Sequence, residues 1–212
     1  MEDNILIDAI RNEYTKARLS LFPSPNIKRG TGRTISSFAE DAFAMYVSDM
    51  LGDEYEIWVD PQIIVDKLRN KSGKRKLMFR PDVCAVNKQN MTIEMIFDLK
   101  MNLGYKRTEF TNQVNNRIVE LTKIKKHTAK CSTIKDQSLT FNNSLVWNYI
   151  IFSMGNISEK DFLKVKNYFN GNNDAQLFTL SEGDHLIKIK KDEFERLKQE
   201  IMKIKGSIQQ HV

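Results

Sequence analysis

Residues 79–100 read Phe79-Arg80-Pro81-Asp82-Val83-Cys84-Ala85-Val86-Asn87-Lys88-Gln89-Asn90-Met91-Thr92-Ile93-Glu94-Met95-Ile96-Phe97-Asp98-Leu99-Lys100. Two apolar runs, about 79–86 and 92–99, flank a polar turn at Asn87-Lys88-Gln89-Asn90, which predicts an antiparallel strand pair. In the second run Ile93, Met95, Phe97 and Leu99 alternate with Glu94, Ile96, Asp98 and Lys100. A period of two sends alternate side chains to opposite faces, so Asp98 and Lys100 share a face at the end of an otherwise apolar strand. Asp82 follows Pro81 on the first run.

Whether Asp82 and Asp98 can meet depends on parity. Their numbers have an even sum, so the pairing register must also have an even sum to bring both to one face. A two-residue turn on Lys88-Gln89 gives an odd sum. The expectation is therefore an odd-length loop or a bulge at residues 87–90, with an asparagine in the left-handed conformation. With Asp82 opposite Ile96, Asp98 becomes a diagonal neighbour at roughly 7–8 Å. Carboxylates so placed can share a cation, and oxygen ligands suit Mg²⁺ or Mn²⁺. The competing reading of Asp98 and Lys100 is a salt bridge at a strand end, and of Asp82 a shaped strand entry.

Outward from this segment, the spacing predicts helices over about 3–21, 37–51, 106–126, 158–169 and 191–208, with a short helix at 62–69. Strands are expected at 55–60, 145–152, 177–180 and 185–190, and a loop at 129–143. Ile5, Leu6, Ala9, Ile10, Glu13 and Ala17 are the spaced positions of the first helix, which Pro23 and Pro25 follow. Phe38, Ala42, Phe43, Tyr46, Val47 and Met50 form the stripe of the second, which Gly52 stops. Phe110, Val114, Ile118 and Leu121 anchor the third. The run Leu145-Val146-Trp147-Asn148-Tyr149-Ile150-Ile151-Phe152 reads as a strand buried on both faces. Together these give an α/β fold with a mixed central sheet flanked by helices on both faces. The expected organisation is a single domain, with a core at about 33–152, a helical N-terminal extension at 1–25 and C-terminal strand and helix elements at 153–212.

The chain has 212 residues, 41% hydrophobic and 28% charged, which excludes disordered and collagen-like classes. Lys and Arg number 33 against 27 Asp and Glu, a net charge of +6 that favours a polyanionic partner. No apolar run reaches the roughly 18–20 residues of a membrane helix. The start, Met1-Glu2-Asp3-Asn4, does not read as a signal peptide. Two cysteines, Cys84 and Cys131, make neither a disulfide scaffold nor a cysteine zinc site, so cytoplasmic residence is expected. Cys131 is expected in a polar loop.

Arg80-Pro81-Asp82, fifteen intervening residues, then Asp98-Leu99-Lys100 resembles the signature of the PD-(D/E)xK, or restriction-endonuclease-like, nucleases. The order of helix, strand, PD strand, DxK strand, helix and apolar strand, over about residues 33–150, strengthens the resemblance. It implies a restriction-endonuclease-like core and a metal-dependent DNA endonuclease. Asp82 and Asp98 would be ligands of Mg²⁺ or Mn²⁺, with the Leu99 carbonyl added and Glu40 completing the set directly or through water. Lys100 would orient the attacking water or stabilise developing charge. A chain of this size without a fused helicase fits a restriction, phage or mobile-element enzyme. Double-strand cleavage would imply a homodimer.

Glu40 has a second reading, since Ser37-x-x-Glu40 is a capping box. The basic loop at 26–34 carries Arg29 and Arg33, and Lys71–Lys76 carries Lys74 and Arg75. Both loops are read as solvated turns or as phosphate contacts. On the helix after the motif Lys106, Gln113 and Arg117 fall near one face, within reach of phosphates. A tyrosine expected by some exonuclease-like branches four residues after Gln113 is replaced by Arg117. His127, His185 and His211 have no metal-ligand spacing. Phe194, Leu197, Ile201, Ile204 and Ile208 form a seam that packs on the domain itself or on a second helix. The competing functions are a non-catalytic nucleic-acid-binding protein on the same fold and an interaction module using this last helix.

Overall fold

A computed structural model describes residues 1–19, 21, 34–69, 73, 75–102, 110–131, 133–155, 157–183 and 188–207. The expected positions Pro23, Pro25, Arg29, Arg33, Lys74, Lys106, His185, Ile208 and His211 lie outside the described residues. The elements run α1 (Asp3–Ala17), α2 (Ser36–Leu51), β1 (Tyr55–Val59), β2 (Ile63–Arg69), β3 (Lys76–Phe79), β4 (Val83–Asn87), β5 (Thr92–Asn102) and α3 (Phe110–Ile124). They continue β6 (Ala129–Cys131), β7 (Lys135–Phe141), β8 (Trp147–Ser153), α4 (Glu159–Asn170), β9 (Ala175–Thr179), β10 (Ser181–Glu182), β11 (Lys188–Ile189) and α5 (Lys191–Ser207).

The result is an α/β fold around a mixed sheet. β1 pairs antiparallel with β4 and β4 antiparallel with β5. β8 then runs parallel to β5, and β9 parallel to β8. The start of β5 also pairs with β7, from which β6, β2 and β3 continue in antiparallel order. A separate two-stranded pairing joins β10 and β11.

Two apolar clusters cover the two faces. Leu6, Ile7, Phe43, Tyr46, Val47, Phe194, Leu197 and Ile201, from α1, α2 and α5, meet Val83, Ala85, Met95, Phe97, Ile150 and Phe152. On the other face Phe110, Val114 and Leu121 of α3 and Phe162, Val165 and Phe169 of α4 meet Cys84, Val86, Ile96, Trp147, Tyr149 and Ile151. Every residue of β8 is buried, as its predominantly apolar run predicts, and Asn148 and Ser153 are buried with the apolar residues. The seam of α5 packs on this chain's own core, with Phe194, Leu197 and Ile201 fully buried.

Several expectations are corrected. The short helix expected at 62–69 is instead strand β2 (Ile63–Arg69), because Ile63-Ile64-Val65 is a β-branched run that favours a pleated, half-buried surface. The expected loop at 129–143 holds β6 and β7, which brings Cys131 into the core. The run 79–86 is broken: Phe79 ends β3 and β4 starts at Val83. Ile5 is 53% exposed and Ile7 takes the inward place, while Phe38 is 38% exposed. The described part of α3 starts at Phe110, and its expected start near residue 106 lies outside the described residues. Among the described residues no helix is long and apolar enough to cross a membrane.

Candidate active site

The β4–β5 register decides the site. Val83 pairs with Phe97, Cys84 with Ile96 and Ala85 with Met95, all in even register. Val86 then pairs with Ile93 and Asn87 with Thr92, an odd register. The extra residue is Glu94, so the parity change lies inside β5 and not at residues 87–90. The connection itself is the four residues 88–91, and its left-handed residue is Met91 (φ 54°), not an asparagine. The bulge also turns Ile93 to the α3 face, alongside Ile96. Alternation alone had placed Ile93 with Phe97.

Ile96 lies opposite Cys84, not opposite Asp82 as the expected diagonal arrangement requires. The Asp82 N–H donates to the Phe97 carbonyl (3.1 Å), and Asp82 Oδ2 accepts from the Leu99 N–H (2.6 Å). Asp82 is thus clamped across the Phe97–Leu99 stretch by its backbone and side chain together. Its own carbonyl accepts from Asp60 N–H (2.8 Å), and Asp60 sits at φ 46° at the end of β1. Arg80 grips Asp60 through two hydrogen bonds of 2.6 Å, from Nε to Oδ1 and from Nη2 to Oδ2. Planar two-point pairing of this kind fixes orientation as well as charge. The Arg80-Pro81-Asp82 segment is therefore held at a fixed angle to the end of β1.

Lys100 ties the carboxylates together. Its ammonium donates to Asp98 Oδ1 and to the Leu99 carbonyl (3.2 Å), and lies 3.7 Å from Asp82 Oδ2. Two carboxylates and one carbonyl converge on a single positive charge. Burial, then the Asp98 charge, raises the Asp82 carboxyl above the usual carboxylate range. Lys100, the Leu99 N–H and Arg117 oppose that shift.

Glu40 stands on the second turn of α2, half-buried. The helix begins two residues earlier than the capping box requires, its N-cap is Ile35, and no side-chain cap hydrogen bond forms there. Glu40 faces the site electrostatically instead. Burial raises its carboxyl, the charges of Asp82, Asp60 and Asp41 raise it further, and Lys100 lowers it. Among the described residues no three acidic, histidine or cysteine side chains gather closely enough to hold a metal by themselves. The oxygen set that does converge is Asp82, Asp98 and the Leu99 carbonyl. It fits a divalent ion in donor type, and the Lys100 ammonium contacts two of those donors.

A cavity of about 490 Å³ opens on the α3 side, lined by Asp98, Lys100, Gln113, Asn116, Arg117, Glu120 and Tyr149. Gln113 and Arg117, expected on one face of the helix, thus share a cavity with Asp98 and Lys100. Arg117 donates to Glu120 Oε2 (3.1 Å) and lies over the Trp147 ring at 5.3 Å. Arg75 is exposed beside β3, at the opposite end of the sheet order from β1, and does not line the cavity. Asp60, Glu120 and Tyr149 escape the sequence reading. Asp60 carried a signal, an acid immediately before the proline that ends β1. Tyr149 carries none, because its run is apolar apart from Asn148.

No family model matches the chain, and neither the curated proteins nor the solved structures compared with it give a match.

Proposed function

We propose that this chain is a divalent-metal-dependent DNA endonuclease of the PD-(D/E)xK class, hydrolysing phosphodiester bonds with Mg²⁺ or Mn²⁺. The observation that carries the reading is the convergence of Asp82, Asp98 and the Leu99 carbonyl on one cation position, with Lys100 at that position. The element order supports it. α2, β1, β4, β5, α3 and β8 follow the sequence on which the resemblance rests, with β2–β3 and β6–β7 as insertions. A restriction-endonuclease-like core is the corresponding fold proposal.

Asp82, Asp98 and the Leu99 carbonyl would hold the ion, with Glu40 joining directly or through water. A divalent ion there supplies positive charge to the phosphoryl oxygens and lowers the pKa of a nearby water. Lys100, released from Asp98 and Leu99, orients the attacking water or offsets charge on the phosphorane-like transition state. Glu40, with its raised proton affinity beside Asp82, is placed to take up a proton. Arg117 and Gln113 contact phosphates from the cavity wall. Arg29, Arg33, Lys74, Arg75 and Lys106 add the salt-sensitive, sequence-blind part of DNA affinity. Cutting both strands calls for a homodimer, and the reduced thiols of Cys84 and Cys131 fit cytoplasmic residence.

The test incubates the purified chain with plasmid and with single-stranded DNA in Mg²⁺, Mn²⁺ or EDTA, then repeats with Asp82→Ala and Lys100→Ala. Cleavage that needs metal and disappears in both variants supports the reading. Equal cutting by both variants identifies a contaminant and overturns it. Salt-dependent DNA binding without cleavage in any metal replaces it with a binding protein.

A further inference from the structure

Tyr149, third residue of β8, is 2% exposed. Its ring is caged edge-on by Phe110 of α3 and Phe169 of α4, each at 5.5 Å, and by Trp147 at 6.0 Å. Its hydroxyl is buried and, among the described residues, has no hydrogen-bond partner. Packing accounts for the ring but not for the oxygen. A phenylalanine would fill the same cage without burying an unpaired polar group.

The strand register points to the missing acceptor. Tyr149 is the direct partner of Asp98 in the parallel β5–β8 pairing, and both residues line the same cavity. A phenol keeps its proton at neutral pH, so the hydroxyl acts as a donor toward a carboxylate. Asp98 is meanwhile engaged at Oδ1 by Lys100. The other cation on the cavity wall, Arg117, is paired with Glu120 and lies over Trp147.

We propose that Tyr149 is a positioning residue for Asp98, donating its hydroxyl hydrogen bond to that carboxylate when a divalent cation replaces Lys100 on Asp98 and the Leu99 carbonyl. The inference rests on the metal-dependent reading above. In the present arrangement Lys100 both neutralises and orients Asp98. Once Lys100 leaves, the carboxylate needs another donor to fix its rotation. The aromatic cage holds the Tyr149 ring in place, so Asp98 is the group that turns. A partner that orients a ligating carboxylate is worth about 10- to 100-fold in metal affinity.

Tyr149→Phe in the full chain removes one oxygen atom and none of the ring contacts. Two measurements are made: the melting temperature in EDTA, and Mn²⁺ affinity by calorimetry. The expected result is an equal or higher melting temperature in EDTA with Mn²⁺ binding weakened about tenfold or more. Cleavage, where measured, recovers at saturating Mn²⁺. Unchanged Mn²⁺ affinity overturns the inference and assigns the hydroxyl to a water in the cavity, leaving the metal reading intact. A lower melting temperature in EDTA with unchanged affinity makes the hydroxyl structural and overturns it equally. Failure of the unsubstituted chain to bind Mn²⁺ removes the metal reading and this inference with it.

Discussion

The two faces of the sheet share their strands and differ in what they bury. On the face covered by α1, α2 and α5, Phe43 meets Phe97 at 5.0 Å and Phe152 at 6.2 Å. Polar groups at its border are paired: Tyr46 donates to Asp3 (2.8 Å), and Lys198 donates to the same carboxylate (2.9 Å). On the face covered by α3 and α4, the aromatic stack of Trp147, Tyr149, Phe110 and Phe169 ends at an open cavity holding Asp98, Lys100 and Arg117. The first face is organised for burial, the second leaves charge and an unpaired hydroxyl beside the cavity. Glu40 reaches toward this charge from α2, on the opposite layer. The difference teaches that stability and chemistry can be perturbed separately in this fold.

The largest expected effect is on the closed face. Phe43→Ala should cost about 3–5 kcal/mol in denaturant unfolding, because it leaves a cavity among Phe97, Phe152 and Tyr46. A loss below about 1 kcal/mol would show that this face is not the main apolar core. The counterpart at the site is Asp98→Asn, which keeps the shape and removes the charge. Cleavage in Mg²⁺ should fall about 10²- to 10³-fold, a loss of the size seen when one charge-stabilising group is removed. Its denaturation midpoint should move far less than that of Phe43→Ala.

Smaller effects sharpen the contrast. Gly52 ends α2 at φ 73°, and an added Cβ would meet nothing nearer than Lys205 Nζ at 4.0 Å. Gly52→Ala should therefore cost about 1 kcal/mol from backbone conformation alone, read by thermal unfolding, with Mn²⁺ affinity unchanged. The smallest effect is a pH dependence. The folded state raises the Asp82 carboxyl above its unfolded value, chiefly by burial and then by Asp98. The folded chain thus binds that proton more tightly, and stability falls as rising pH ionises the group. In EDTA, Asp82→Asn should be more stable than the unsubstituted chain near about pH 7. The gap should close as pH drops toward the ordinary carboxylate range. A gap independent of pH would mean that folding does not raise the Asp82 carboxyl.

Much of this architecture is visible in the sequence where periodicity is long. Helices expected at 37–51, 158–169 and 191–208 are observed at Ser36–Leu51, Glu159–Asn170 and Lys191–Ser207. Fifteen or so residues of 3.6-period pattern average out local ambiguity. β6 has three residues and β7 a polar composition, too little for a period of two to register. At the site, Asp82, Asp98 and Lys100 do converge, and Gln113 and Arg117 do border them. Their parity argument required one extra residue, and composition does not reveal that Glu94 is that residue. Tyr149 becomes significant only through its pairing with Asp98, a long-range register that a mostly apolar strand conceals.

The central claim is that Lys100 occupies a place made for a divalent cation. Crystals of the full chain soaked in Mn²⁺ and examined at the manganese absorption edge test it most directly. The account predicts an anomalous peak within coordination distance of oxygens of Asp82, Asp98 and the Leu99 carbonyl, with the Lys100 ammonium moved off Asp98 Oδ1. Lys100 still bound to Asp98 at saturating Mn²⁺, with no peak among those oxygens, would contradict it.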